Sequence, residues 1–400
     1  MSTLQDPGAS SPQLLRRANR QALLQYALRT GTFSAADAMT TTGLTRATVL
    51  GVCADLHGAG WLAEVEPDGD GTRRGRPARR YELRADAGLL IGVDAGEHTL
   101  AARAVDLRGR ELASEVETVE VGVDDPGAAD ARREQVRGLL ERLRARSGAG
   151  SAHPLLTVVG VPAPVGPDGL SPHGEAGYWP VMNPDLGGAL NGEVLTDNDA
   201  NLAVTAEHAL RGGEHLATLL MGERFGAGLI IDGRLLHGAL GGAGEMRFLD
   251  DVLVDSRGAD GVAALARRWT TTALEAGARS PALEAIPADR LTAVDVFDAA
   301  RAGDAVAQRV LERIGERIAR IAGILASLLG VETVVVAGAI AGAIGPVLVH
   351  AREALPQVSS APYPQLVASE LGGDVVVRGA VETALRQLRE NPLEVLGSHG

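Results

Sequence analysis

The chain has 400 residues, of which 45% are hydrophobic and 22% are charged, a balance typical of folded globular proteins. The length predicts two or three domains. Cys53 is the only cysteine, which excludes internal disulfides and zinc sites that need several thiolates, and fits a reducing compartment. The sequence has neither the apolar core of a signal peptide nor a run of ~20 apolar residues, so we predict a cytoplasmic protein.

The charge is unevenly distributed along the chain. The net charge is −13, and every basic residue is an arginine. Residues 1–88 carry 11 Arg against 9 Asp and Glu, a net charge of +2, so the rest of the chain carries −15. A slightly basic head on an acidic body is compatible with DNA binding that is confined to the head.

The N-terminal segment has the pattern of a winged helix-turn-helix, and we predict this domain over residues 1–84. A helical apolar pattern runs from Leu14 to Arg29, Ser34 can cap a short helix that stops at Gly43, and Thr45 can cap a third helix. Residues with the i, i+3, i+4, i+7 spacing of a buried stripe follow on that third helix: Val49, Val52, Cys53 and Leu56. Two strand-like runs, 61–66 and 79–83, enclose a Gly- and Pro-containing segment that predicts a wing.

The first predicted group of DNA contacts lies at the start of the third helix. Thr45, Arg46 and Thr48 face away from the buried stripe, where a recognition helix presents its N-terminal residues to the major groove. Gly51 on the same face offers no side chain to read a base. The alternative is an ordinary three-helix packing unit.

The second predicted group lies on the wing. Arg73, Arg74 and Arg76 stand in the segment RRGRP, and arginines on a narrow bent loop suit the minor groove, where negative potential is concentrated. The alternative is a solvated linker, which is the commoner role of a basic run. The position of the segment directly after a predicted recognition helix favours double-stranded DNA as the partner.

The body, predicted over residues 85–400, has an α/β pattern in two lobes of about 85–195 and 196–400. Each half opens with a strand, a Gly-bearing turn and a hairpin, at about residues 89 and 217, which indicates an internal duplication. A cleft is expected between the lobes. Asn198 and Asp199 follow a predicted strand, and Glu245 closes a Gly-rich stretch. Such groups can hold sugar hydroxyls, and Asp199 could serve as a general base; the alternative is a helix cap.

Together these stretches resemble the ROK family (repressor, open reading frame, kinase), specifically its transcriptional regulators, from about Leu14 to Leu388. The matching segments are, in chain order, LLRRANRQALL, RRGRPARRYEL, LIGVDAG, VVGVPAPVGPDG, TDNDANLAVTAE, FGAGLIIDGRLLHGALGGAGE and VVVAGAIAGAIGPVL. The resemblance implies an actin-like (ribonuclease-H-like) ATPase-type fold, sugar sensing in the cleft, and a homodimer or larger assembly. It also implies that Asn198 and Glu245 hold sugar hydroxyls and that Asp199 corresponds to the kinase base.

The chain departs from the family at both phosphate loops. The first loop of the family kinases is of the DxGGT type, whereas residues 94–99 read DAGEHT; the second resembles GTGIGGG, whereas residues 222–228 read GERFGAG. These changes place Glu97 and Glu223 where phosphates would lie, and like charges repel. We therefore predict a degenerate kinase domain in which Asp199 is a vestigial base, with no nucleotide cofactor.

The family's zinc motif is also absent. Phe248 stands at the histidine position, Asp255, Arg257 and Val262 stand at the three cysteine positions, and Ala264 replaces a second sugar-contacting glutamate. A structural zinc needs four close nitrogen or sulfur ligands, so we predict no metal. The effector could therefore differ from the family's sugars, or be absent.

Three functions are compatible with these features. The first is a repressor whose body senses a sugar, a sugar phosphate or a related metabolite. The second is a DNA-binding dimer whose body answers to no small molecule. The third, disfavoured by the altered phosphate loops, is an active sugar kinase with a DNA-binding head.

Overall fold

A computed structural model describes residues 12–66, 79–148, 154–172, 177–245 and 260–397. The head contains α1 (Pro12–Arg29), β1 (Phe33–Ser34), α2 (Ala35–Thr42), α3 (Arg46–Gly58), β2 (Leu62–Val65) and β3 (Arg80–Leu83). The first lobe contains β4 (Leu90–Ala95), β5 (Thr99–Val105), β6 (Glu111–Thr118), α4 (Ala128–Ser147), β7 (Leu156–Val161), α5 (Tyr178–Met182), α6 (Leu186–Ala189) and β8 (Val194–Asn198).

The second half of the body begins with the long helix that follows β8. Its elements are α7 (Asp199–Arg211), β9 (Leu216–Met221), β10 (Phe225–Ile231), β11 (Arg234–Leu235), α8 (Val262–Glu275), α9 (Pro281–Glu284), α10 (Ala293–Arg301), α11 (Ala305–Leu329), β12 (Thr333–Ala337), α12 (Gly345–Val358), β13 (Gln365–Ala368), α13 (Val375–Glu390) and α14 (Pro392–Gly397). Among the described residues, no helix is both long and apolar enough to cross a membrane.

The head is a helix-turn-helix with a small antiparallel sheet of order β1-β3-β2. Ser34 and Asp37 form a capping box at the start of α2, and Gly43 ends that helix in the left-handed conformation (φ 71°), which glycine adopts without strain. The predicted stripe of α3 is buried, and the segment between β2 and β3 that was predicted to form the wing lies largely outside the described residues.

The two sheets of the body have the same topology. The first has the order β6-β5-β4-β7-β8 and the second has the order β11-β10-β9-β12-β13. In the first sheet, β4 forms an antiparallel hairpin with β5 on one side and pairs in parallel with β7 on the other. In the second sheet, β9 pairs in the same way with β10 and β12. The internal duplication predicted from the sequence is therefore confirmed at the level of topology.

Helices α7 and α13 cross closely between the two sheets. On α13, a Cβ atom at Gly379 would lie 1.8 Å from the carbonyl oxygen of Leu202 on α7. On β10, a Cβ atom at Gly228 would lie 2.0 Å from the carbonyl oxygen of Ala200 on the same helix. Only glycine therefore permits these two approaches to α7. Helix α13 also packs on β4 and β7 of the first lobe. The predicted boundary between residues 195 and 196 assigns α13 to the second lobe, although this helix packs on the sheet of the first lobe.

The head docks on the C-terminal helices. The Gln25 Nε2 atom donates a hydrogen bond to the Glu390 carbonyl oxygen at 2.9 Å, and Arg17 lies 3.7 Å from Glu394 on α14. The Arg108 guanidinium donates to the Thr30 carbonyl oxygen at 2.9 Å. The head is therefore in direct contact with the last two helices of the body.

Candidate functional site

The strand-to-helix junction at the end of β8 positions the predicted ligand residues. The Asn198 Oδ1 atom accepts hydrogen bonds from the backbone N–H groups of Ala200 (2.9 Å) and Asn201 (3.3 Å), and its Nδ2 atom donates to the Ala163 carbonyl oxygen at 3.0 Å. Asn198 is thus the N-cap of α7, the structural role that the sequence left open. Its side chain also ties this junction to the loop after β7.

Acidic side chains converge beside this junction. Burial raises the pKa of Asp199 well above its ordinary value, and the neighbouring charges of Asp94 and Glu245 raise it further. Burial raises the pKa of Asp94 to about 7, although the charge of Arg132 opposes that shift. A carboxyl group whose pKa is raised can donate a hydrogen bond to a hydroxyl or, once ionised, accept its proton. The arrangement therefore suits a polyhydroxylated ligand.

A buried arginine holds the turn that follows β4. Arg132 on α4 is 4% exposed. Its Nε atom donates to the Met182 carbonyl oxygen at 3.0 Å, and its other nitrogens donate to the carbonyl oxygens of Gly96 (3.0 Å) and Ala95. These bonds direct the cation at backbone oxygens of the first loop rather than at the cleft.

The two lobes are joined by three side chains that we call the Glu97 clasp: Glu97, Tyr178 and Arg224. The Tyr178 hydroxyl donates to the Glu97 carboxylate at 2.8 Å, and the Arg224 Nε atom donates to the same carboxylate at 3.2 Å. The Arg224 guanidinium lies 3.6 Å from the centre of the Tyr178 ring, a cation–π geometry. The clasp connects the turn after β4 with the turn before β10.

A second set of ion pairs continues from the clasp. Arg267 on α8 binds the Glu223 carboxylate through two hydrogen bonds of 2.6 Å, and Arg268 binds Asp260 at 2.9 Å. These side chains line a cavity of 550 Å³ together with Glu97 and His98. The glutamates at the two predicted phosphate loops are therefore each neutralised by an arginine of the same chain.

The start of α3 is organised around its cap. The Thr45 hydroxyl accepts from the Thr48 backbone N–H at 3.3 Å and lies 2.9 Å from the Thr48 hydroxyl. Arg46 is exposed and forms no ion pair with a described residue. No atom lies within 4 Å of the position where Gly51 would carry a Cβ. No described residue therefore covers this face of α3 at Gly51. The predicted contacts Arg73, Arg74 and Arg76 lie outside the described residues.

The sequence profile of the ROK family matches residues 90–387. The chain belongs to the ROK family. Its curated relatives include the bifunctional enzyme NanE/NanK of Brucella melitensis biotype 1, 32% identical over 221 residues, which are 52% of this chain and 40% of that protein. They also include the glucokinase of Halalkalibacterium halodurans, 30% identical over 223 residues, which are 50% of this chain and 66% of that protein. The chain thus spans less than half the length of the bifunctional enzyme.

Solved ROK structures share the fold. A ROK family transcriptional regulator, a homologue of the E. coli Mlc protein, superposes with a TM-score of 0.71 at 18% identity and covers 96% of this chain and 99% of its own. A ROK glucokinase of Streptomyces griseus superposes with a TM-score of 0.61 at 24% identity and covers 75% of this chain and 100% of its own. The predicted two-lobed actin-like fold and the family resemblance are confirmed.

The structure gives the predicted site residues two kinds of environment. The charges of Asp94 and Glu245 both act on Asp199, and the sequence put Asp94 only in the altered loop. Asn198 caps the start of α7, and Thr45 caps the start of α3 with a hydrogen bond from Thr48. The clasp partners Tyr178 and Arg224 were not predicted, because they are 46 residues apart and nothing local links them. The replaced zinc positions 248, 255 and 257 lie outside the described residues, so metal absence stays a prediction.

Proposed function

We propose that this chain is a DNA-binding transcriptional regulator, most simply a repressor, whose ROK body binds a sugar or related small metabolite without phosphorylating it. The observation that carries the proposal is the open face of α3 at Arg46 and Gly51, on a helix-turn-helix head that lies outside the matched ROK range. A helix that leaves one face open and buries the other has the form that enters a major groove.

The extent of the fold similarity supports a regulator. The regulator structure covers 96% of this chain, whereas the glucokinase covers 75%. The match to the ROK family profile begins at residue 90, after the head. In our proposal Thr45, Arg46 and Thr48 approach the major groove, and Arg73, Arg74 and Arg76 approach the minor groove and the phosphates.

The cleft supports the effector part of the proposal. Asp199 and Glu245 would hold ligand hydroxyls, and Asn198 would hold the junction in shape and contribute its remaining amide hydrogen. Asp199 then serves only to bind the ligand, at the position that the catalytic base holds in the family's kinases. A pair of such bodies forming a homodimer would present two heads to an operator with two half-sites.

The altered loops argue against phosphoryl transfer. The Glu97 clasp and the Glu223–Arg267 pair put carboxylates where a kinase of this family would approach nucleotide phosphates. The chain has no lysine to offset them. A nucleotide would have to break charged hydrogen bonds and meet two carboxylates, and both cost free energy.

Selection from a random DNA library tests the proposal. The full chain should enrich a motif with two related half-sites about one helical turn apart, and it should show no sugar-dependent ATP hydrolysis with glucose or N-acetylmannosamine. Hydrolysis that Asp199→Asn abolishes, with no enriched motif, would instead establish the kinase function.

A further inference from the structure

The hydrophobic core of the head continues into the body without a break. Buried side chains of α1, α2 and α3 and buried side chains of β4, β7, α7, α13 and α14 belong to one cluster of packed residues. On the head side the cluster contains Leu23, Leu24 and Cys53. On the body side it contains Leu388 and Leu396. A domain that is joined only by a flexible linker has a core of its own, so the head is attached differently.

Hydrogen bonds hold the head at two places. The Nε2 atoms of Gln21 and Gln25 donate to the Glu390 carbonyl oxygen at the end of α13, at 3.4 Å and 2.9 Å. The second place is the turn between β5 and β6, where Arg108 donates to the Thr30 carbonyl oxygen at 2.9 Å. The head is therefore bonded to the hairpin of the first sheet as well as to α13.

Helix α13 connects the shared core firmly to the first sheet. A Cβ atom at Gly92 on β4 would lie 2.8 Å from the carbonyl oxygen of Val377 and 2.8 Å from the backbone nitrogen of Val381. In the turn between β5 and β6, a Cβ atom at Gly109 would lie 2.9 Å from the Leu385 side chain. Contacts as close as these leave no space for α13 to slide on the sheet, because packed interiors transmit strain rather than absorb it.

The second lobe has a core of its own. Its buried side chains come from β9, β10, β12, β13 and α8 to α12, and among the described residues this cluster includes none from the head or the first sheet. On α7, Leu202 and Ala203 belong to the core shared with the head. Val204 of the same helix packs with Leu216 and Val335 of the second sheet. The boundary between the two cores therefore runs along α7.

We propose that the head, the first lobe and helices α13 and α14 unfold and move as one cooperative unit, which is distinct from the second lobe. In the proposed function, the head then keeps its position on the first lobe when the cleft is occupied. The response reaches DNA through the arrangement of whole bodies, without a swing of the head. The proposal itself rests on packing and does not require that the chain bind DNA or a sugar.

Hydrogen exchange of the full chain, followed by mass spectrometry, tests whether the head shares the stability of the first lobe. The slowest amides of α1 and α3 should have protection factors within about tenfold of those in β4 and β7, because elements that open together exchange with one free energy of opening. A small domain on a flexible linker would open by itself, and its amides would exchange faster.

Matched leucine substitutions show to which unit the head belongs. Leu388→Ala on α13 removes a fully buried side chain of the shared core, and it should accelerate exchange in α1 and α3 at least about tenfold. Leu355→Ala on α12 removes a leucine that is buried in the second lobe. It should accelerate exchange in α11 and β12 to a similar extent and leave α1 and α3 within about threefold of the wild type.

A milder pair of valine substitutions serves if Leu388→Ala does not fold. Val395 on α14 is buried in the shared core, and Val395→Ala should accelerate exchange in α1 and α3 about tenfold, the effect of losing two buried methyl groups. Val347→Ala on α12, in the core of the second lobe, is its control and should leave the head unchanged.

The proposal is overturned if α1 and α3 of the wild type exchange more than about tenfold faster than β4 and β7. It is also overturned if the folded variants of the shared core leave exchange in the head unchanged. Equal acceleration of the head by Leu355→Ala and Leu388→Ala would overturn it as well, since the whole chain would then open as a single unit. Failure to bind DNA would contradict only the proposed function.

Discussion

Asp94 lies on β4 and Asp199 begins α7, and burial leaves water able to stabilise their charges only partly. Burial disfavours the ionised form of both carboxyl groups, and the charge of Asp94 further disfavours that of Asp199. Carboxyl groups whose ionised forms are disfavoured in this way cluster at functional sites. In our proposed function, what the site gains is a pair of carboxyl groups that exchange hydrogen bonds with ligand hydroxyls.

The raised pKa values predict a specific pH dependence of stability. The folded state binds protons more tightly than the unfolded state, because the pKa of Asp94 is about 7 against an ordinary 3.8. The contribution to the free energy of unfolding is therefore largest below about pH 4 and falls as the pH rises toward about 7. Asp94→Asn should reduce this decline, leaving the share that belongs to Asp199, and raise the melting temperature at pH 8 by a few degrees.

Melting temperatures from pH 4 to pH 8 check this prediction, with Asp289→Asn as the control at an exposed carboxyl of the second lobe. The control should keep the wild-type profile. A wild-type profile in Asp94→Asn as well would mean that the carboxyl is ordinary.

At the scale of elements, the Glu97 clasp joins two turns that in a kinase of this family would each approach phosphates. The clasp is partly exposed, with side-chain exposures of 23% for Glu97 and 48% for Arg224, so solvent screens its attraction. It links the turn after β4, in the first lobe, to the turn before β10, in the second.

A double-mutant cycle with Glu97→Gln and Arg224→Gln measures the clasp. We expect a coupling free energy of about 0.5–1 kcal/mol between the two side chains, the range for a partly exposed ion pair with a cation–π partner. Chemical denaturation of the four proteins gives the value. A coupling of zero would mean that the lobes are held by packing alone.

The wing arginines give a second prediction at this scale. Arg74→Ala and Arg76→Ala should each weaken binding to many DNA sequences alike and reduce the slope of log affinity against log salt by about 1, because one fewer phosphate is neutralised. Titrations at several salt concentrations measure the slope. An unchanged slope in the double variant would remove the wing from the DNA interface.

Local elements were predictable because their signals are local. Ser34 and Thr45 begin helices and Gly43 ends one through their own backbone and side-chain chemistry. The repeated hairpin pattern predicted two similar sheets. The return of α13 to the first lobe and the pairing of Arg224 with Tyr178 depend on contacts between distant segments. No periodicity carries that information.

At the scale of the whole molecule, the contact of α1 with α13 and α14 links the head to the body. In our proposed function, closure of the lobes on a ligand changes how the two bodies of a dimer pair and hence the spacing of the two heads. Linkage requires that a ligand that weakens DNA binding be itself bound more weakly by the DNA complex, by the same factor.

Cleft variants test this coupling. Asp199→Ala and Glu245→Ala should leave DNA affinity within about twofold of the wild type while abolishing the response to a sugar that shifts the wild type's melting temperature. DNA titrations with and without that sugar provide the measurement. If both variants respond like the wild type, the effector does not bind between these carboxylates.

A titration of the full chain against its selected DNA motif and a scrambled fragment of equal length, at one fixed salt concentration, tests DNA recognition most directly. The chain should prefer the motif by ~10³-fold or more. Arg46→Ala should lose most of that preference, whereas Arg290→Ala, at an exposed arginine of the second lobe, should keep it. Equal affinity of the wild type for both fragments would contradict sequence-specific regulation by this chain.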